Sequence, residues 1–452
     1  AMVPASEFTP ANTEPVSQNP LITFAYLRHA PEPDGTMAEG EWDEATSITG
    51  FLTAENNLAQ QQSRVWAGYD DDNIYIAFRS HSPTGMKAEI TERDGPVFRE
   101  DAIEVFLQPE RGSERYYHLA GNAAETRYDA IGKDAGWDAE WELGCNLEHD
   151  EYLVAATWTA EMVIPLDALG LENAPESGAE WGVNFTRDWS TTPSGQKAEL
   201  AERWTTWAPV GGSFHTPGKF ATVIFRKGSP SVQIAQLGDL PRGYVAPSGF
   251  AIAGQQTQLT VDWAVVPTAK PARRVASGKA TLDLKADEKA DFGFEGELEV
   301  SGSQPWPVTL VTSVTGPDGT VLLRNVTPYK AIPAFRVDLE PVFLQDYLVA
   351  KFDISKLPDV PEDARGRLQV LTAEEETLVE KDIPGLGADK TARVRIDISA
   401  LKPGDYRIKS SLVDGEGAAM AAKTEPLSVP KTPDWFGNEL GISEEVPPPY
   451  TD

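Results

Sequence analysis

The sequence predicts an all-β protein made of antiparallel β-sandwiches. Short runs rich in β-branched and aromatic residues recur between turn signals, and no segment keeps the apolar spacing of a sustained amphipathic helix. The single cysteine, Cys145, excludes an intrachain disulfide framework and any cysteine-based zinc cluster, so each domain must rest on an apolar core. At roughly 150 residues per domain, 452 residues predict about three domains.

The elements follow in order. Residues 1–23 are rich in Pro, Thr, Asn and Ser and read as an extended lead-in. Residues 24–228 carry nine of the twelve tryptophans and most of the strand-like runs. These are Arg64–Tyr69, Ile74–Phe78, Ala102–Leu107, Tyr116–Leu119, Val154–Trp158, Trp181–Phe185 and Phe220–Phe225. Turns such as Asp70-Asp71-Asp72-Asn73 separate them, as in an antiparallel sandwich, and only Pro165 to Leu171 resembles a helical turn. After Gly228 the tryptophans thin out. Gln258–Val265, Phe292–Val300 and Leu310–Val314 alternate as half-buried strands do, with a Pro317-Asp318-Gly319 turn behind them. A third set begins near Leu348 and runs through Arg393–Ile398 to the turn Leu401-Lys402-Pro403-Gly404-Asp405-Tyr406. Pro fixes φ in such a turn and Gly relaxes it, the usual entry to a late strand of an immunoglobulin-like sandwich. Residues 229–345 and 346–430 are therefore expected as two immunoglobulin-like domains, and 431–452 as a Pro-rich connector whose Pro447-Pro448-Pro449 favours a stiff polyproline II spacer.

Charge narrows the function classes. Lys and Arg number 39 against 70 Asp and Glu, a net charge of −31, which repels phosphate backbones and anionic membranes. Nucleic-acid partners are not expected, and no stretch has the ~20 unbroken apolar residues of a membrane helix. The chain also lacks a Gly-x-Ser-x-Gly elbow, a Walker loop, Gly-x-Gly-x-x-Gly and His-Glu-x-x-His, and its five histidines are scattered singly. Carboxylates are so abundant that sequence alone singles out no catalytic pair. No catalytic residue and no required cofactor is expected.

Aromatic residues say more. Sugars present apolar C–H faces that stack on rings, while polar side chains hold their hydroxyls. Trp137 and Trp141 bracket Asp138 and Glu140 in a polar, Gly-punctuated segment, so these indoles either present a sugar platform or cover a sandwich edge. Trp66, Trp158 and Trp181 sit in apolar strands and read as core. The acidic turn at Asp70 and Asp72 reads either as a calcium site or as a tight solvated turn.

Five ordered motifs then carry a resemblance. They are Asp34-Gly35 with Glu41-Trp42-Asp43-Glu44-Ala45, the hairpin Val65–Ala77, the strand Glu100-Asp101-Ala102-Ile103-Glu104-Val105-Phe106, the signature Glu161-x-Val163-Ile164-Pro165, and the end from Trp207-Ala208-Pro209 to Phe214–Phe220. Residues 34–228 resemble a carbohydrate-binding module of family 9. Binding members of that family hold a sugar between two tryptophan rings. By motif position the resemblance puts one ring at Phe98 and the other at Phe214, both Phe in this chain, which implies a weaker or altered specificity. It puts the polar floor on the Tyr116–Asn122 strand, with His118 and Asn122 as candidates.

The tail, from Pro433-Asp434-Trp435-Phe436-Gly437-Asn438 to Val446–Thr451, is similar to the connector before the catalytic barrel in large proteins related to glycoside hydrolase family 123. Together these imply the non-catalytic, glycan-binding and spacer region of a bacterial glycoside hydrolase. Its partner would be a polysaccharide or oligosaccharide, its place secreted, periplasmic or cell-surface, and its catalytic domain C-terminal to this chain. The alternative is a structural or cell-surface sandwich protein that mediates protein contacts and keeps a vestigial sugar site.

Overall fold

A computed structural model describes residues 16–82, 86–149, 156–190, 203–298, 305–355, 357 and 360–431. It is all-β, as the run-and-turn pattern predicts, and falls into two compact units, residues 1–298 with 306–331 and residues 299–305 with 332–452.

The first unit opens with β1 (Leu21–Tyr26), β2 (Thr46–Ile48), β3 (Leu52–Thr53), β4 (Ser63–Tyr69), β5 (Asn73–Ser82), β6 (Ala102–Gln108) and β7 (Tyr117–Asn122). There follow β8 (Arg127–Ile131), β9 (Glu142–His149), β10 (Ala156–Pro165), β11 (Glu180–Asp188), β12 (Trp204–Thr206) and β13 (Ala221–Arg226). Their pairing makes two layers. The front layer runs β8-β7-β6-β11-β13 and the back layer β9-β10-β5-β4-β2, all antiparallel. β1 joins the layers at one edge, parallel to β13 through Leu21–Ala25 and to β4 through Ala25 and Tyr26.

Two-residue alternation decides which side chains enter the core. Ile103, Val105 and Leu107 of β6, with Val183 and Phe185 of β11, are buried from the front layer. Ile74, Ile76 and Phe78 of β5 are buried from the back, and Phe78 meets Phe185 edge-on at 6.0 Å. The intervening residues therefore lie on the outer faces. On the back layer that face is covered by the segment before β2, where Leu27, Trp42 and Ala45 pack with Trp66, Tyr75 and Ala77.

Nine more strands complete this unit. They are β14 (Ser231–Gln236), β15 (Tyr244–Val245), β16 (Ser248–Ile252), β17 (Thr257–Pro267), β18 (Ala276–Leu284), β19 (Ala290–Gly293), β20 (Gly296–Glu297), β21 (Trp306–Thr315) and β22 (Val321–Ala331). The segment expected as a domain of its own from residue 229 pairs by backbone with the earlier strands. β14 meets β2 in parallel at Gln233↔Ser47, and β22 runs antiparallel to β1 at Leu21↔Arg324 and Ile22↔Leu323. Side chains repeat the connection. Gln233 accepts from Trp66 Nε1 (3.0 Å) and Arg64 (2.9 Å) and donates to the Trp42 carbonyl (2.6 Å), and Trp207 Nε1 donates to Asn325 (2.8 Å).

The second unit holds β23 (Arg336–Val342), β24 (Tyr347–Asp353), β25 (Arg365–Leu371), β26 (Thr377–Ile383), β27 (Thr391–Asp397), β28 (Gly404–Val413) and β29 (Ala419–Val429). A three-stranded sheet β23-β24-β27 and a four-stranded sheet β26-β25-β28-β29 enclose one core that includes Val337, Leu348, Phe352, Leu368, Ile396, Ile408 and Leu412. The Leu401–Tyr406 turn leads into β28, and Tyr406 Oη donates back to the Lys402 carbonyl at 2.9 Å. Residues 1–15 of the expected lead-in, Val154 and Ala155 of the expected strand, and residues 432–452 of the expected connector lie outside the described residues.

Candidate functional site

The outer face of the front layer carries the site. Register places Glu104 of β6 opposite Ala120 of β7 and Thr186 of β11, with His118 two pairs along, opposite Phe106, and Asp188 two pairs the other way, opposite Ala102. Because Ile103 and Val105 point into the core, Glu104 must point out. His118 and Asp188 share that face.

A pocket of about 470 Å³ opens over them. Glu104, His118 and Asp188 line its floor, and Phe98, Tyr128, Trp204, Val210, Phe214 and His215 line its walls. Phe98 stands on the short turn Val97–Arg99 just before β6, braced edge-on by Tyr128 at 5.4 Å. Phe214 lies on the loop between β12 and β13, where Gly211 and Gly212 take positive φ (63° and 81°) that an L side chain adopts only with strain. His215 Nδ1 on that loop bonds the Tyr116 hydroxyl at 2.8 Å.

The floor is a connected set of buried polar groups. His118 Nε2 meets Glu104 Oε2 at 2.5 Å, and Thr186 Oγ1 donates to Glu104 Oε1 at 3.2 Å. The His118 ring is fixed flat against Phe106, 4.4 Å away and 8° from parallel. Among the described residues its Nδ1 is buried without a partner, and so is Asp188 Oδ2. Burial pushes Asp188 well above the usual carboxylate range, with the Glu104 charge adding to it. Burial alone would raise Glu104 too, but its charge and hydrogen-bond partnership with His118 outweigh that and hold it below its usual value. His215 is held down at about 4 by burial and by His118. A floor with unfilled hydrogen-bonding positions under aromatic walls can hold a small polar ligand that has an apolar face.

Three of the sequence candidates, Phe98, Phe214 and His118, thus line one pocket. The others lie elsewhere. Asn122 is wholly buried and serves its own turn, accepting from the amides of Ala124 and Thr126 and donating to the Ile90 carbonyl. Trp141 is buried at 1% exposure, its Nε1 donating to Asp129 at 3.0 Å. Trp137 is half-buried against Tyr117, with ring centroids 4.8 Å apart. At the acidic turn, Asp70 Oδ1 accepts from the amides of Asp72 and Asn73 and Oδ2 accepts from the Tyr75 hydroxyl, while Asp72 is exposed. These bonds tie Asp70 to the turn itself. Among the described residues, no group of three or more His, Cys, Asp or Glu side chains is arranged to hold a metal ion.

Sequence reasoning missed Glu104, Asp188, Tyr128, Trp204 and His215. For Glu104 the signal was present: a charged residue between two core-facing aliphatics in a strand.

Residues 34–227 match the family profile described as carbohydrate family 9 binding domain-like. These residues are a family 9-like carbohydrate-binding domain. A family 9 module from Caldicellulosiruptor kristjanssonii solved with cellotriose is among the solved structures that match. That match has 16% identity and a TM-score of 0.35, and it covers 46% of this chain and 95% of that one. The form solved with glucose matches at 15% identity and a TM-score of 0.33, covering 46% and 97%. A protein from Bacteroides uniformis ATCC 8492 matches at 17% identity and a TM-score of 0.37, covering 46% and 100%. Comparison with curated proteins gives no match.

The strongest motif residues of the family 9-like domain do structural work. Glu100 accepts from the amides of Glu89 and Ile90, and Asp101 from those of Lys87 and Ser190, so this pair fixes the loops beside the pocket. Glu161 lies on the outer face of the back layer and accepts from Gly35 N (2.8 Å) and Trp42 Nε1 (2.7 Å), which joins two motifs distant in sequence. Gly35 must be glycine there: its φ is +82°, and a Cβ would collide with the Cys145 backbone.

Proposed function

We propose that the family 9-like domain binds a single sugar residue of a glycan in the pocket between Phe98 and Phe214. The observation that supports this reading is the pairing of those two rings with a floor that offers Asp188 Oδ2 and His118 Nδ1 without protein partners. Rings take the apolar face of a pyranose, and the floor takes its hydroxyls. Phe offers a smaller face than Trp, so affinity is modest and the floor contributes more of the selectivity.

The finer reading makes this chain the non-catalytic glycan-binding and spacer region of an exported bacterial glycoside hydrolase. Its support is the similarity of residues 433–451 to a connector that precedes a catalytic barrel. A glycan array followed by affinity electrophoresis tests the binding. Retention on at least one glycan, weakened in both Phe98→Ala and Phe214→Ala, is the expected result; uniform silence favours a structural sandwich protein. The reading frame beyond Asp452 tests the finer reading, which a barrel-sized segment supports and a stop codon removes.

A further inference from the structure

The chemical class of the sugar follows from the acid pair in the floor, an argument that rests on the sugar-binding reading. Asp188 and Glu104 hydrogen-bond one another and are 2% and 3% exposed. Two carboxylates in contact and out of water do not both ionise, so one hydrogen lies between them. Asp188 is the donor, because burial and the neighbouring Glu104 charge favour its neutral form while Glu104 stays ionised. Among the described residues Asp188 Oδ2 has no partner, and Asp188 is part of the pocket floor.

Four rings, Phe98, Tyr128, Trp204 and Phe214, line the same space, and aromatic faces attract cations. Among the described residues, few other groups face the pair. His118 on β7 bonds Glu104, His215 stays neutral near neutral pH, and Tyr128 on β8 keeps its proton. Arg203 lowers and Asp101 raises the Asp188 pKa, and Lys133 is an exposed member of the lining.

We infer that the pocket selects sugars bearing a free ammonium group, which sits between Asp188 and Glu104 in place of the hydrogen they share. The exchange balances: the ammonium enters with its positive charge, the Asp188 O–H proton leaves to solvent, and no other bond changes. A neutral sugar can give one hydroxyl hydrogen to Asp188 Oδ2 but leaves the shared hydrogen where it is. An N-acetyl group removes the cation, and a uronate brings a second negative charge towards Glu104.

The full chain is titrated by calorimetry near neutral pH with glucosamine, glucose and N-acetylglucosamine, in two buffers of different ionisation enthalpy. Glucosamine is expected to bind about tenfold tighter than the other two. Its heat should differ between buffers by the release of up to one proton, while glucose shows no such difference. Asp188→Asn should bring the three sugars within about threefold of one another and abolish the buffer dependence of the glucosamine heat. Glucose or another neutral glycan binding as tightly as glucosamine overturns the inference and leaves the sugar site standing. A glucosamine preference without proton release also overturns it, because the ammonium is then not between the carboxyls. Silence towards every glycan overturns the inference and the sugar reading together. If Asp188→Asn does not fold, the buffer comparison on the unchanged chain decides.

Discussion

The sandwich of the first unit carries a buried carboxylate site on each outer face, and the two differ in how their polar atoms are used. At the back, Glu161 is 1% exposed, with one oxygen on the Gly35 amide and the other on the Trp42 indole. At the front, Glu104 and Asp188 are equally buried, yet the floor leaves Asp188 Oδ2 and His118 Nδ1 unpaired under a pocket. Both faces carry shifted acids, so neither burial nor a raised pKa separates structure from function. What separates them is whether the chain has already supplied every hydrogen-bond partner.

The comparison breaks most severely if the strands after residue 228 are removed. Gln233 donates to the Trp42 carbonyl beside Glu161, and Asn325 accepts from Trp207. A chain ending at 228 leaves these partners exposed or unpaired, at about 1–3 kcal/mol for each buried group left unsatisfied. It should melt far below residues 1–331, with the loss read by thermal denaturation. Equal melting temperatures would show that the later strands merely lean on the sandwich.

Glu161→Ala comes next. It orphans the Trp42 indole and the Gly35 amide, and it should lower stability by about 2–5 kcal/mol by denaturant unfolding. Sugar affinity of the folded fraction should hardly change. Phe98→Ala and Phe214→Ala should do the reverse. Both rings are half-buried, so stability changes little, while affinity for a bound glycan falls by about 1–3 kcal/mol in titration.

The smallest effect is a pH slope. Burial raises Glu161 to about 7 from its usual 4.5. Between those values the unfolded chain binds fewer protons than the folded one, so this group makes stability fall as pH rises through that window. His215 acts oppositely, since at about 4 against 6.5 its term is lost as pH drops. Subtracting the melting profile of Glu161→Gln from that of the unchanged chain isolates the first slope. A difference that is flat from pH 4.5 to 7 would place Glu161 in ordinary solvation.

How much of this was legible beforehand depended on the kind of signal. Strand runs such as Arg64–Tyr69 and Ala102–Leu107 coincide with β4 and β6, because a short β-branched and aromatic run between turn signals is local information. Phe98, Phe214 and His118 were reachable through ordered motifs, although they come from three separate segments. Trp141 was opaque. Its neighbours are polar, but Asp129, twelve residues earlier and wholly buried, accepts from its indole and from the Ala139 amide and folds the segment inward. Asp188 was hidden by number, one of 70 acidic residues, and only register places it beside Glu104. The separation expected at residue 229 rested on a change of composition, whereas pairing between β14 and β2 is a non-local fact.

The double role of β1 bears on how the chain reaches this state. It precedes its parallel partner β13 by about 200 residues and its antiparallel partner β22 by about 300. Loop closure on that scale yields nothing until nearly the whole unit has been made, and such high contact order slows folding. Ala25 and Tyr26 find an earlier partner in β4, but the edge that Ile22 and Phe24 fill stays open until β13 is made. The unit is therefore sealed at this edge by strands that lie about 200 and 300 residues beyond the one they cover.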